Sequence, residues 1–192
     1  MRRFILASAS PRRKEILEKA GYSFEIIVSD ADENITEDLS PEKTVEVLAE
    51  RKALSVWESN KDSVVFGCDT VVAIDGRILG KPTDDEDAFN MLKMLSGRTH
   101  TVSTGVCICS ENQTEVFSNT TQVEFYPLSD ETIRSYIASG EGKDKAGSYG
   151  IQGYGCVLVK EIKGDYFSVM GLPVSQSSRV LADFGIYGKV SL

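Results

Sequence analysis

The chain has 192 residues, 41% of them apolar and 26% charged, which suits a compact protein with a sizeable core and excludes disorder throughout. Lysine and arginine number 21 against 29 aspartates and glutamates, a net charge of −8. So acidic a surface repels a phosphate backbone and argues against duplex binding, while leaving room for a small anion held by a few gathered basic residues.

Phe4–Ala7 reads as a buried first strand. The apolar run behind Arg2-Arg3 is too short for a signal-peptide core. Ser10-Pro11 then opens a helix, serine as cap and proline at the first turn, with Ile16, Leu17 and Ala20 as its apolar side and Gly21 as its stop. Phe24–Val28 is a second strand. Ser40-Pro41 repeats the cap and starts a longer helix to about Ser59. Val64–Val72 is a long apolar strand, followed by an Asp75-Gly76 hairpin turn. Thr83-Asp84-Asp85-Glu86 matches a capping box ahead of a helix that Gly97 ends. Two strands follow, Thr99–Cys109 and Glu115–Phe125, then a helix from Ser129 to Gly140. A glycine-rich segment, Gly142–Gly155, leads into a strand at Val157–Ile162, a turn at Lys163-Gly164-Asp165, a further run at Tyr166–Met170, and a last helix from Pro173 to about Phe184. No linker or repeat interrupts this alternation. It predicts an α/β fold in which residues 1–192 form one domain, with room for two lobes. No apolar run reaches the roughly 18 residues of a membrane-spanning helix.

The reactive residues narrow the chemistry. His100 is the only histidine, so serine-triad hydrolysis and histidine-based metal sites have little to build on. Cys68, Cys107, Cys109 and Cys156 form no C-x-x-C pair, and three lie in strand-like surroundings where a small hydrophobe is expected. That usage fits a reducing cytoplasm.

Six places could carry a function. Ser8-Ala9-Ser10-Pro11-Arg12-Arg13 joins a strand to a helix N-terminus, where free N–H groups, two hydroxyls and two guanidinium groups suit a phosphate. Stability alone would favour acids in that first turn, so the arginines there are informative. Lys52 shares a helix face with Val45, Leu48, Ala49 and Val56. It either reaches a buried anion or snorkels to the surface, and snorkelling is the more frequent outcome. Asp69 interrupts the central apolar strand, where a carboxylate is costly unless paired or metal-bound. Lys81, in Gly80-Lys81-Pro82, fits a phosphate contact or an exposed turn. The P-loop spacing fails there. In Asp144–Gly155 the glycines do not follow G-x-G-x-x-G, yet they permit close approach to a flat ligand, with Gln152 reading a base edge. A plain surface loop has the same composition. Asp30, Asp32 and Glu33 offer hard oxygen ligands suited to Mg²⁺, or a solvated acidic loop.

Together, Ser8-Ala9-Ser10-Pro11-Arg12-Arg13, Gly67-Cys68-Asp69-Thr70-Val71-Val72, Gly80-Lys81-Pro82, Leu95-Ser96-Gly97-Arg98-Thr99-His100, Asp144–Gly153, Gly164-Asp165-Tyr166 and Gly171-Leu172-Pro173 resemble the Maf family of nucleotide pyrophosphatases, in order from residue 4 to about 185. The resemblance implies a central mixed β-sheet flanked by helices, with two lobes around a cleft, similar to inosine triphosphate pyrophosphatases. It implies metal-assisted hydrolysis of nucleoside triphosphates to monophosphate and pyrophosphate, with Mg²⁺ or Mn²⁺. Asp69 would activate water, Glu33 and Asp69 would bind the metal, and Ser8, Ser10, Arg12, Arg13, Lys52 and Lys81 would hold the phosphates. Arg12, Thr70 and Gln152 fall at positions tied to substrate choice, and the late loop looks like the branch that prefers dTTP and UTP. A cytoplasmic protein, a homodimer and a part in cell-division arrest are further expectations. Two alternatives accompany them: a pyrophosphatase for methylated or other non-standard nucleotides, and a non-catalytic nucleotide sensor acting in septum formation.

Overall fold

A computed structural model describes residues 2–190. The elements run β1 (Arg3–Leu6), α1 (Pro11–Lys19), β2 (Glu25–Ile26), α2 (Pro41–Trp57), β3 (Ser63–Ile74), β4 (Arg77–Leu79), α3 (Asp85–Leu95), β5 (Thr99–Cys109), β6 (Thr114–Phe125), α4 (Asp130–Ala138), β7 (Val159–Lys163), α5 (Tyr166–Val169) and α6 (Val174–Asp183). Ser10, Ser40 and Ser129 cap their helices as read, each accepting from the backbone N–H three residues on. The cap of α3 sits one residue later than the sequence pattern suggests. Asp84 accepts from Asp87 N–H, and the Asp87 carboxylate accepts from Thr83 N–H, so two aspartates perform the reciprocal bonding assigned to Thr83 and Glu86. Two late elements also differ. A 3-10 turn at Tyr154–Val157 delays the last strand, and the Tyr166–Met170 run folds as the one-turn helix α5, capped by the Asp165 carboxylate.

The strands form one mixed seven-stranded sheet in the order β2-β1-β3-β5-β6-β7, with β4 paired to the far end of β3. β1 runs parallel to both neighbours, while β3 is antiparallel to β4 and β5. On one side β3 is matched by β5 from Val65 to Ala73. On the other, β1 pairs only with Ser63–Phe66 and β4 only with Val72–Ile74. Residues 67–71 of β3 therefore have an open edge in the middle of the sheet, and the β1–α1 loop passes beside it.

Three apolar cores surround that gap. Ile5, Val65 and Cys107 pack with Ala49, Ala53 and Val56 of α2 on one sheet face. On the other face, Val64, Phe66 and Cys68 pack beneath α1 and α6, while Val72 and Ile74 pack with α3 and α4. The last two cores make two lobes that part at Thr70. Helix α2 lies unusually close to the sheet, because a Cβ at Gly67 would stand 2.3 Å from the Ala49 carbonyl oxygen and one at Gly105 2.2 Å from that of Val45. Glycine is present at both, so backbone meets backbone.

Candidate active site

The open edge of β3 is the floor of a cleft of ≈ 890 Å³. Side chains alternate along a strand, so Asp69 points toward α2 and Thr70 toward the two lobes. Both line the cleft because no neighbouring strand covers the edge between them. Ser8, Ser10, Arg12, Arg13, Glu33, Lys52, Lys81 and Gln152 line the same cleft. Of the side chains singled out in the sequence for catalysis, metal or substrate, the structure gathers these ten in one place and leaves Asp30 and Asp32 outside the cleft lining.

Lys52 corrects its expectation. It does not snorkel: its side chain is only 12% exposed, and Nζ lies 2.6 Å from Asp69 Oδ1 and 2.9 Å from Glu33 Oε1. The close approach that Gly67 and Gly105 permit brings the inward stripe of α2 within a lysine's reach of β3. Asp69 is 13% exposed and so is paired rather than stranded. Glu33 swings in from the loop before α2, whereas Asp30 accepts from Ser55 and Asp32 caps Asn34, both exposed. Two carboxylates converging on one cation form a hard-oxygen donor set. Among the described residues no group of three histidine, cysteine or acidic side chains is gathered for a metal. Glu33 and Asp69 fit a divalent cation that takes its other ligands from phosphate oxygens and water, the usual arrangement for Mg²⁺.

The arginine side is built differently. Ser10 is occupied as the α1 cap. Ser8 Oγ accepts from Ser10 N–H at 3.2 Å and from Arg13 Nη1 at 3.0 Å, which uses both its lone pairs and leaves its proton to donate. Arg13 also donates Nε to Gly171 O at 2.9 Å and Nη2 to Thr70 Oγ1 at 3.1 Å. Three of its N–H groups are committed and two remain. A guanidinium so fixed is pre-organised for an oxyanion. Cys68 Sγ shares the Gly171 carbonyl at 3.1 Å, and burial pushes its thiol up to about 11. It is a packed thiol, not a nucleophile.

The opposite wall is the glycine-rich segment. It carries three polar residues that had no assigned part: Glu141, Asp144 and Lys145. Glu141 accepts from Tyr154 N–H at 2.6 Å, Gly155 N–H at 3.0 Å and the Tyr136 hydroxyl at 3.0 Å, while that hydroxyl accepts from Gly150 N–H at 3.0 Å. Burial disfavours the Glu141 carboxylate, but these bonds outweigh it and hold its pKa below the ordinary range. Lys145 donates to the Glu141 carbonyl and to Asp144, lowering the Asp144 pKa. Gln152 sits exposed on this loop, its amide donating to Glu15 at 3.3 Å. Lys81 stands exposed beside Gly80, whose carbonyl accepts from Gly147 N–H. A glutamate between two glycines (Gly140 and Gly142) was the available signal for the latch at Glu141. His100 lies outside the cleft lining, buried against Tyr149 and Phe125.

Comparison with known proteins gives the chain a family. A family model described as "Maf-like protein" matches residues 3–184. A dTTP/UTP pyrophosphatase of Bacillus pumilus (strain SAFR-032) is 53% identical over 97% of this chain and 98% of its own. One from Bacillus cereus (strain ZK / E33L) is 53% identical over 97% of each chain, and one from Bacillus velezensis 51% identical over 96% and 98%. Among solved structures, a HAM1 protein from Coxiella burnetii superposes with a TM-score of 0.50 at 16% identity, covering 95% of this chain and 100% of that one. That likeness concerns the fold.

Proposed function

This chain belongs to the Maf family, and from that premise and the cleft we propose that it hydrolyses nucleoside triphosphates, dTTP and UTP foremost, to the monophosphate and pyrophosphate. The observation that carries this reading is the convergence of the Lys52–Asp69–Glu33 cluster with the fixed Arg13 and the donor Ser8 in one cleft. The preference for thymine and uracil rests on the names of the Bacillus relatives.

In this reading water attacks the α-phosphorus, the bond from that phosphorus to the bridging oxygen breaks, and pyrophosphate departs. Asp69 accepts the proton of the water as general base, and Lys52 holds the carboxylate in place. Charge grows on the leaving pyrophosphate, and the two free N–H groups of Arg13, the Ser8 hydroxyl, Arg12 and Lys81 are the groups that meet it. A divalent cation on Glu33 and Asp69, Mg²⁺ or Mn²⁺, would add Lewis-acid stabilisation of the phosphoryl oxygens when bound. Gln152 would read the base edge from the far wall. We take residues 1–192 as one domain and place the protein in the cytoplasm as a homodimer on kinship. No helix among the described residues is long and apolar enough to cross a membrane.

The test is pyrophosphate release from common and methylated triphosphates with Mg²⁺ or Mn²⁺, with Asp69→Asn alongside. Asparagine cannot take the proton, so release should fall by at least about a hundredfold, within the usual worth of a general base. Activity confined to a purine or methylated nucleotide would overturn the substrate assignment. Tight binding without release by the wild type would overturn the hydrolytic one.

A further inference from the structure

We propose that Thr104, a residue that does not line the cleft, is a positioning residue for the phosphate-holding guanidinium of Arg13 and acts through Thr70. The inference rests on the reading above that Arg13 grips the triphosphate.

Thr104 lies on β5 directly across from Thr70 and is fully buried. Its Oγ1 lies 2.8 Å from the Ser168 carbonyl oxygen and 2.9 Å from Thr70 Oγ1. A hydroxyl has one proton, and a carbonyl can only accept. The Thr104 proton therefore goes to Ser168, and the bond between the threonines is donated by Thr70. With its own proton spent, Thr70 meets Arg13 Nη2 as an acceptor, at 3.1 Å. The chain runs one way: Arg13 to Thr70, Thr70 to Thr104, Thr104 to the α5 backbone. Each bond polarises the next.

Two consequences follow. Thr70 has no proton to offer a phosphate oxygen, so its contribution to an anionic group passes through Arg13, and it can meet substrate directly only where substrate donates. Removing the Thr104 hydroxyl also frees the Thr70 proton, which can then turn toward Arg13 and set donor against donor. The guanidinium would lose one of its three anchors.

The experiment compares wild type, Thr104→Val, Thr104→Ser, Thr70→Val and the double variant Thr70→Val/Thr104→Val. Three quantities are read: affinity for inorganic tripolyphosphate with Mg²⁺, kcat and KM for dTTP, and melting temperature. Thr104→Val keeps the shape and loses the hydroxyl. It should weaken tripolyphosphate and raise KM by about ten- to hundredfold, the worth of one hydrogen bond to a charged group. Serine should restore both to within about threefold. In the Thr70→Val background the second substitution should add less than about twofold, because its route to Arg13 is already gone. A full additional loss in that background, or a lowered melting temperature with unchanged affinity and KM, overturns the proposal. If the wild type binds tripolyphosphate and Thr104→Val weakens it without any turnover, the inference stands and the hydrolytic reading falls. If the wild type turns over dTTP and Thr104→Val matches it, the inference falls and the hydrolytic reading stands.

Discussion

Replacing Gly67 by alanine tests how the fold makes the Lys52–Asp69 pair. The backbone there is ordinary β conformation, so alanine meets no torsional penalty. Its Cβ would stand 2.3 Å from the Ala49 carbonyl oxygen, 2.7 Å from Ala53 N and 2.9 Å from Ala53 Cβ. Ordinary contact begins at 3.4 Å, so α2 must retreat by about 1 Å, and none of the three atoms belongs to a flexible side-chain end. Overpacking of this kind costs about 1–3 kcal/mol, and backbone on both sides puts it near the top. The smaller entropy of the unfolded alanine chain offsets about 0.4–1 kcal/mol. A net loss of about 2 kcal/mol lowers the melting temperature by about 4–8 °C in a protein of this size. The same retreat carries Lys52 away from Asp69, now 2.6 Å apart. A misplacement of about 1 Å can cost up to about a hundredfold in rate; a flexible lysine recovers part of it, so a drop of about tenfold in kcat is expected. Thermal melting and dTTP turnover measure both effects. Gly80→Ala, whose Cβ meets nothing within 4 Å, is the matched control for melting. A Gly67→Ala protein that melts within about 1 °C of wild type with unchanged kcat would refute the argument that glycine sets the α2-to-sheet distance.

Two further predictions concern the other wall and the core. Burial lowers the His100 pKa from 6.5 to about 4, so between those pH values the unfolded chain takes up a proton that the folded chain refuses. Stability from this residue is full above about pH 6.5 and declines as the pH falls toward 4, by on the order of 3 kcal/mol in all. His100→Gln should show a shallower loss of melting temperature between pH 6.5 and 5, and equal slopes for both proteins would contradict the prediction. Glu141→Gln keeps one acceptor but turns an NH₂ group toward backbone N–H donors, so the 150–155 loop should loosen. Hydrogen exchange at Tyr154 and Gly155 should quicken, and preference among nucleosides should flatten by about tenfold. Tripolyphosphate affinity, set on the arginine side, should hold. Unchanged exchange at those amides would remove Glu141 from its place as the latch.

Local rules make much of this legible in the sequence. Serine-proline pairs marked two helix starts, Asp75-Gly76 marked a hairpin that forms with both residues at positive φ, and an acid inside an apolar strand marked the cleft. For Lys52 the helix pattern alone favours snorkelling over a buried anion, because the anion that holds it lies on another element. The α3 cap slipped by a residue because Asp84 and Asp87 compete with Thr83 and Glu86 for the same reciprocal bonds. Thr104 and Gly171 carry no local mark of their tasks. Each acts by touching a residue far along the chain, and pairing at such a distance is not encoded in spacing.

The gap in the sheet ties these observations together. A site needing both an acid with its lysine and an arginine with its hydroxyl partner must hold unlike groups near each other without letting them neutralise. Adjacent residues on a strand point to opposite faces, so Asp69 is held by α2 while Thr70 is held by the other side. The unpaired edge from 67 to 71 lets one ligand meet both. Had β1 continued past Leu6 along β3, the main-chain groups of that edge would be satisfied, but the Ser8–Arg13 loop would be gone and Asp69 would be a buried cost. The short first strand is therefore part of what makes the cleft. Extending its pairing should stabilise the sheet and remove the site.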